Sequence, residues 1–203
     1  VRRAWLCGID PDTKRNYEHR KAVVEARILQ LGRIFAVGIY GYAVMSNHLH
    51  VVLSIEPSIA SNWSDEEVVE RWLQLYPART PELMDEKRSR LLGKPESIAR
   101  FRERLVDLSW FMRSLDEYVA RQANAEDGKN GRFWQGRYKC QVLTGEASLA
   151  AAMAYVDLNP IRAGIADKLE DSEHTSVAQR LEELRKQPEL ADQPCDPSPA
   201  PPY

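Results

Sequence analysis

Cysteine and histidine are both scarce in this chain. Its three cysteines, Cys7, Cys140 and Cys195, stand far apart in 203 residues and form no CxxC pair. That argues against a disulfide framework or a structural zinc site and fits a reducing cytoplasm. Long apolar runs are missing as well. The longest nearly apolar one, Ile34 to Met45, is too short to cross a bilayer and holds two glycines. No leader-like segment opens the sequence, no internal repeat runs through it, and no methionine stands at position 1, consistent with a fragment. Positive charge is not in excess either: the net charge of −2 argues against a protein that coats nucleic acid.

What is present is a globular composition, 43% hydrophobic and 29% charged, in a chain long enough to bury a core without staples. The charge is unevenly spread. Residues 167–203 carry nine acidic and four basic side chains, which leaves 24 basic and 21 acidic ones in residues 1–166. A mildly basic body with an acidic tail permits contact with DNA without requiring it.

Periodicity divides the chain. His19 to Leu31 reads as an amphipathic helix with Val24, Ile28 and Leu31 on one stripe and Gly32 ending it. Ile34 to Val44 reads as a buried strand, Met45 to Asn47 as a turn, and His48 to Ile55 as a second strand, together an antiparallel hairpin. The middle, Ser64 to Arg121, reads as short helices separated at Pro77 and at Gly93-Lys-Pro95. Ser64-Asp-Glu-Glu opens one of them, and Trp72 and Leu75 continue its apolar stripe. Leu105, Leu108, Phe111, Met112 and Leu115 mark a further buried face, and Asn124 to Gly131 a polar loop. Arg137 to Thr144 alternates as a third strand, with Tyr138, Cys140 and Val142 on one side. Thr144 is placed to cap a helix from Glu146 to about Leu158, which Pro160 is expected to end. A helix over Arg180 to Lys186 and a disordered Pro- and Asp-rich tail after Gln187 complete the reading. The pattern predicts an α+β fold.

Three groups of residues carry chemistry. In Asn47-His48-Leu49-His50-Val51-Val52-Leu53, alternation puts His48 and His50 on one face and Leu49, Val51 and Leu53 on the other. Two imidazoles about 7 Å apart along a strand can converge on one cation, or can simply line a solvated face. In Ser148 to Pro160, Leu149, Met153 and Val156 form a core stripe. Tyr155 and Asn159 lie within roughly 40° of each other on its flank, with Asp157 nearly opposite Tyr155. Those two either face a metal held by the sheet or are a half-buried aromatic and a helix-ending residue. In Gly131 to Lys139, Arg132, Arg137 and Lys139 interleave with Phe133, Trp134 and Tyr138. Such a segment serves equally to stack and track a single strand or to enter a sheet.

Taken in order, Ala43-Val-Met-Ser-Asn-His-Leu-His-Val-Val-Leu53, Gly131-Arg-Phe-Trp-Gln-Gly-Arg-Tyr138 and Ala154-Tyr-Val-Asp-Leu-Asn-Pro-Ile-Arg-Ala-Gly164 closely resemble the single-tyrosine HUH transposases. The nearest branch is the REP-associated tyrosine transposases, relatives of insertion-sequence enzymes. The resemblance spans residues 1–176 and implies a ferredoxin-like antiparallel sheet, with the HUH pair on a central strand and helices packed on one side. It also implies Mg²⁺- or Mn²⁺-dependent cleavage and joining of single-stranded DNA beside a hairpin, of the repetitive extragenic palindrome or insertion-element-end kind, by a monomer or homodimer. His48 and His50 match the family's metal-binding histidines, Tyr155 its nucleophile, and Asn159 its polar third ligand. Arg132, Trp134, Arg137 and Lys139 become candidate DNA contacts, as do Arg2 and Arg3.

The chain departs from the family in three ways. The family places a strand ahead of Val1 to Leu6, so the sheet is expected to expose an edge. Within a helical insertion at about 56–121, the insert from Glu56 to Ile98 is longer than in the smallest relatives, and residues 177–203 form a helix and tail with no assigned role. Three rivals remain: a transposase-derived DNA-binding protein that no longer cuts, a metal-dependent hydrolase using the histidine pair, and a helix-rich interaction module.

Overall fold

The computed structural model describes residues 5–186. The tail after Gln187, together with Arg2 and Arg3, lies outside them. The described chain is α+β: helices surround a two-stranded antiparallel sheet.

Helix α1 (His19–Ile34) runs through Gly32 rather than ending there, because Ile34 two residues on is fully buried and the carbonyl of Leu31 still accepts the Phe35 N–H at 2.9 Å. Strand β1 (Val37–Val44) then pairs with β2 (Leu49–Ile55), as the hairpin pattern predicts. A bulge between Ile39 and Gly41 inserts Tyr40 opposite no partner. The extra residue shifts the alternation by one, so that Val37 and Ile39 before it, and Tyr42 and Val44 after it, all face the same core. Gly41 is small at the bulge for a reason: a Cβ there would come within 3.3 Å of Ser176 Oγ.

Five helices follow: α2 (Pro57–Ser61), α3 (Asp65–Leu75), α4 (Pro81–Leu92), α5 (Pro95–Arg104) and α6 (Leu108–Glu126). Ser64 opens α3 with a reciprocal cap. Its hydroxyl accepts the Glu67 N–H at 3.2 Å and its own N–H donates to the Glu67 carboxylate at 2.8 Å. The Asp107 carboxylate caps α6 through the Trp110 N–H at 2.9 Å. Helix α6 continues to Glu126, taking in the first three residues of the stretch read as a loop, and the chain turns at Gly128 and Gly131, both with positive φ.

Residues 131–145 form no strand. Side chains fasten this segment instead of a main-chain ladder. Phe133 is buried, the Trp134 indole N–H donates to the Asp116 carbonyl at 2.8 Å, and the Tyr138 hydroxyl meets Ser109 Oγ at 3.0 Å. Cys140 and Val142, which the alternation placed on one side with Tyr138, are exposed, Val142 to 82%. The outer edge of β1 is also taken, by a bridge from Ala43 to Thr175.

Helix α7 (Glu146–Arg162) differs at both ends from its sequence reading. Gly145, with φ of +81°, occupies the cap position without a side-chain cap, and Thr144 contributes only its carbonyl, which accepts the Ser148 hydroxyl at 2.8 Å. Pro160 sits inside the last turn, where its missing N–H costs a single helical bond. Just past the helix end, Gly164 with φ of +66° turns the chain so that the Ile165 N–H returns to the Pro160 carbonyl at 2.9 Å. A 3₁₀ turn over Leu169–Asp171 leads to α8 (Ser176–Lys186), four residues longer at its start than the sequence suggests.

The two sheet faces carry different cores. Leu49, Val51, Leu53 and Ile55 pack against the large cluster of α1, α3 and α6, centred on Ile28, Leu31, Phe111 and Leu115. Ala43, Met45 and Val52 face the other way and meet Val156, Leu149 and Met153 of α7. Helices therefore cover both faces of the hairpin, not one. The face bearing α7 is also the face to which His48 and His50 belong.

Candidate metal and nucleophile site

Two elements build the site: the start of β2 and the last two turns of α7. His48 stands just before β2 and His50 is its second residue, so both rings project toward α7 while Leu49 and Val51 anchor the strand in the opposite core. Their backbone separation would leave the rings apart, but the rings turn inward. His48 Nε2 and His50 Nε2 are 3.1 Å apart, with centroids at 4.8 Å and planes at 87°.

Asn47 Oδ1 lies 2.6 Å from His48 Nδ1; with the proton on that nitrogen, Nε2 presents a lone pair. Burial holds both histidines below their ordinary pKa, and the nearby His48 ring adds to the effect at His50. Both are thus kept in the neutral form that a cation requires.

Helix α7 brings the other two groups. Val156 packs into the second core and fixes the rotation of the helix. On that rotation Asn159 is buried, with its amide nitrogen 3.3 Å from His50 Nε2. A half-turn about the last side-chain bond exchanges the amide's nitrogen and oxygen and aims the oxygen at the same point. Tyr155, one turn earlier, places its ring edge-on to His50 at 5.5 Å between centroids and stays 47% exposed. The four residues singled out in the sequence for this chemistry, His48, His50, Asn159 and Tyr155, therefore meet in space.

Asp157 points elsewhere, as its helical position predicts. Its carboxylate pairs with Arg180 of α8 at 2.5 Å and accepts from Ser176 at 3.3 Å. The segment leading into α8 also secures β1, since the Ser176 hydroxyl accepts the Tyr42 N–H at 3.0 Å and Arg180 donates to the Tyr40 carbonyl at 3.0 Å.

Among the described residues no group of three or more His, Cys, Asp or Glu side chains stands together. A cation at the histidines would take Asn159 as its third protein donor. Two neutral imidazole nitrogens and an amide oxygen fit a divalent ion and leave positions open for phosphate oxygens.

The candidate DNA-contacting residues fall into two kinds. Arg132, Arg137 and Lys139 are exposed, whereas Trp134 is half-buried against the large core with its N–H spent on α6. Among the described residues no hydrogen bond, ion pair or ring contact joins these four to the histidine–tyrosine cluster. One neighbour escaped the sequence reading: the Arg162 guanidinium lies 5.5 Å from the centre of the Tyr155 ring. The signal was available, because positions 155, 159 and 162 recur at helical spacing.

No family model, curated protein or solved structure matches this chain.

Proposed function

We propose that this chain is a single-tyrosine transposase of the HUH type, which cleaves and rejoins single-stranded DNA beside a folded-back hairpin. On this reading the described hairpin belongs to a ferredoxin-like HUH core. The supporting observation is the meeting of His48, His50, Asn159 and Tyr155, drawn from segments more than 100 residues apart, within hydrogen-bond or ring-contact distance.

His48, His50 and Asn159 would hold Mg²⁺ or Mn²⁺. When bound, the ion supplies Lewis-acid polarisation of the scissile phosphate. Tyr155 acts as the nucleophile, held beside His50 by its ring and open to the strand on its exposed side. Its phenol oxygen bonds to phosphorus while the P–O3′ bond breaks and its electron pair leaves on O3′. The phenolic proton passes to solvent, and O3′ takes one up. The products are a 5′-phosphotyrosyl strand and a free 3′-OH. Attack by this or another 3′-OH reverses every bond change, restores the phenol and joins the strands without an external energy source.

A second reading, a transposase-derived DNA-binding protein that no longer cuts, draws on one observation: among the described residues only two strands pair. One assay separates the two. The protein is incubated with a labelled single-stranded hairpin library and Mg²⁺ or Mn²⁺, then run on a denaturing gel. The transposase reading expects a slow-migrating covalent species that vanishes with EDTA. Retained binding with no such species would favour the non-cutting protein.

A further inference from the structure

Several arginines of this protein lie over aromatic rings, and most spend their donors on the protein itself. Arg20, over Tyr17, pairs with Glu126 and Asp127; Arg27, over Tyr118, reaches Gln30 and the Ser114 carbonyl; Arg71, over Trp63, reaches the Arg33 and Ile34 carbonyls. Arg104, over Trp72 and Trp110, and Arg162 have no such partner among the described residues, and of these two only Arg162 borders the histidine–tyrosine cluster. The Arg162 guanidinium lies 5.5 Å from the centre of the Tyr155 ring and is exposed. It also shares the helical face of Tyr155 and Asn159, seven and three residues before it, within about 60°. An unspent fork of N–H donors thus stands beside the candidate nucleophile.

We propose that Arg162 is the residue that grips the scissile phosphate for attack by Tyr155. The inference rests on the transposase reading and deepens it. A phosphodiester carries one negative charge on two non-bridging oxygens, and in-line attack concentrates charge on them. A guanidinium matches that geometry with two parallel N–H donors, where an ammonium offers only a point charge. Resting over the Tyr155 ring holds it near the reacting atoms before DNA arrives, so it need not be ordered at the moment of reaction.

The test compares wild type with Arg162→Gln, Arg162→Lys and Arg162→Ala by two readouts. The first is binding of a single-stranded hairpin by fluorescence anisotropy in EDTA across a salt series. Loss of one phosphate contact lowers the slope of log K against log salt by about 0.7. The second is the rate of covalent adduct formation with Mn²⁺. Arg162→Gln should slow it by about 10²-fold, Arg162→Lys less, and free guanidinium should restore Arg162→Ala at least about tenfold, where urea does not. An unchanged salt slope together with a rate within about threefold of wild type overturns the proposal. A slowed rate that guanidinium fails to restore also overturns it, leaving Arg162 as a helix-end residue. If wild type forms no adduct at all, the transposase reading and this proposal both fall.

Discussion

Replacing Arg180 by methionine would test how the nucleophile helix is held. The Arg180 guanidinium bridges the Asp157 carboxylate of α7 at 2.5 Å and the Tyr40 carbonyl of the β1 bulge at 3.0 Å. The two charged side chains are 26% and 17% exposed. Removing one member of a fully buried pair costs about 3–5 kcal/mol, whereas a fully exposed pair contributes roughly 0.2–1. About three-quarters burial lies between these limits, and Met preserves the aliphatic stem, so about 2 kcal/mol is expected. Asp157→Asn costs less, because the amide still accepts from Ser176 and its neutral group escapes the burial that pushes the Asp157 carboxyl up. The double variant should show a coupling of about 1 kcal/mol or more. Urea unfolding followed by circular dichroism reads all three. With a slope of about 2 kcal/mol/M, Arg180→Met should move the midpoint down by about 1 M. A shift under about 0.25 M, or two single effects that simply add, would refute the idea that this pair pins α7.

Other expectations follow from the same contacts. Asn159→Ala should reduce metal-dependent adduct formation less than His48→Ala or His50→Ala, and excess metal should rescue it best; an equal or larger loss would contradict its place as the weakest donor. Asp116 is pushed up to about 6 by burial. The folded state then binds the proton more tightly than the unfolded one, so stability falls as pH rises between about 4 and 6 and stays lowered above. Asp116→Asn should therefore stabilise the protein by about 1–2 kcal/mol at pH 8 and hardly at pH 4, the 1.36 kcal/mol per unit being discounted for partial exposure; equal stabilisation at both pH values would sink the argument. Cys7 is buried and its thiol is pushed up to about 12, while Cys140 is exposed. Alkylation at pH 8 with peptide mapping should label Cys140 and spare Cys7 until denaturant is added; early labelling of Cys7 would mean that the packing of residues 5–10 opens readily.

Much of the fold was legible in the sequence because local rules decided it. The Ser64 capping box, the breaks at Pro77 and Gly93-Lys-Pro95, and the hairpin across Met45 to Asn47 each depend on residues a few positions apart. The facing of His48 and His50 followed from strand alternation, and the approach of both Tyr155 and Asn159 to His50 from their helical spacing. What was misread depended on distant partners. The alternation in Arg137 to Thr144 has the period of a strand, but buried Phe133 and the bonds of Trp134 and Tyr138 to α6 fasten the segment by side chains rather than by a ladder. Pro160 and Gly32 look like helix ends, yet tertiary burial of Ile34 and the turn at Gly164 carry each helix past them. The Asp157–Arg180 pair joins two helices across 23 residues with no spacing to betray it.

The central claim is that Tyr155 becomes covalently bonded to DNA, and locating the linkage tests it most directly. Adduct formed with Mn²⁺ and a single-stranded hairpin would be digested with nuclease and trypsin and sequenced by mass spectrometry. The account predicts a nucleotide phosphate on Tyr155, within the peptide 140–162, and no adduct from Tyr155→Phe. A nucleotide on Tyr138, or an adduct that persists in Tyr155→Phe, would contradict it.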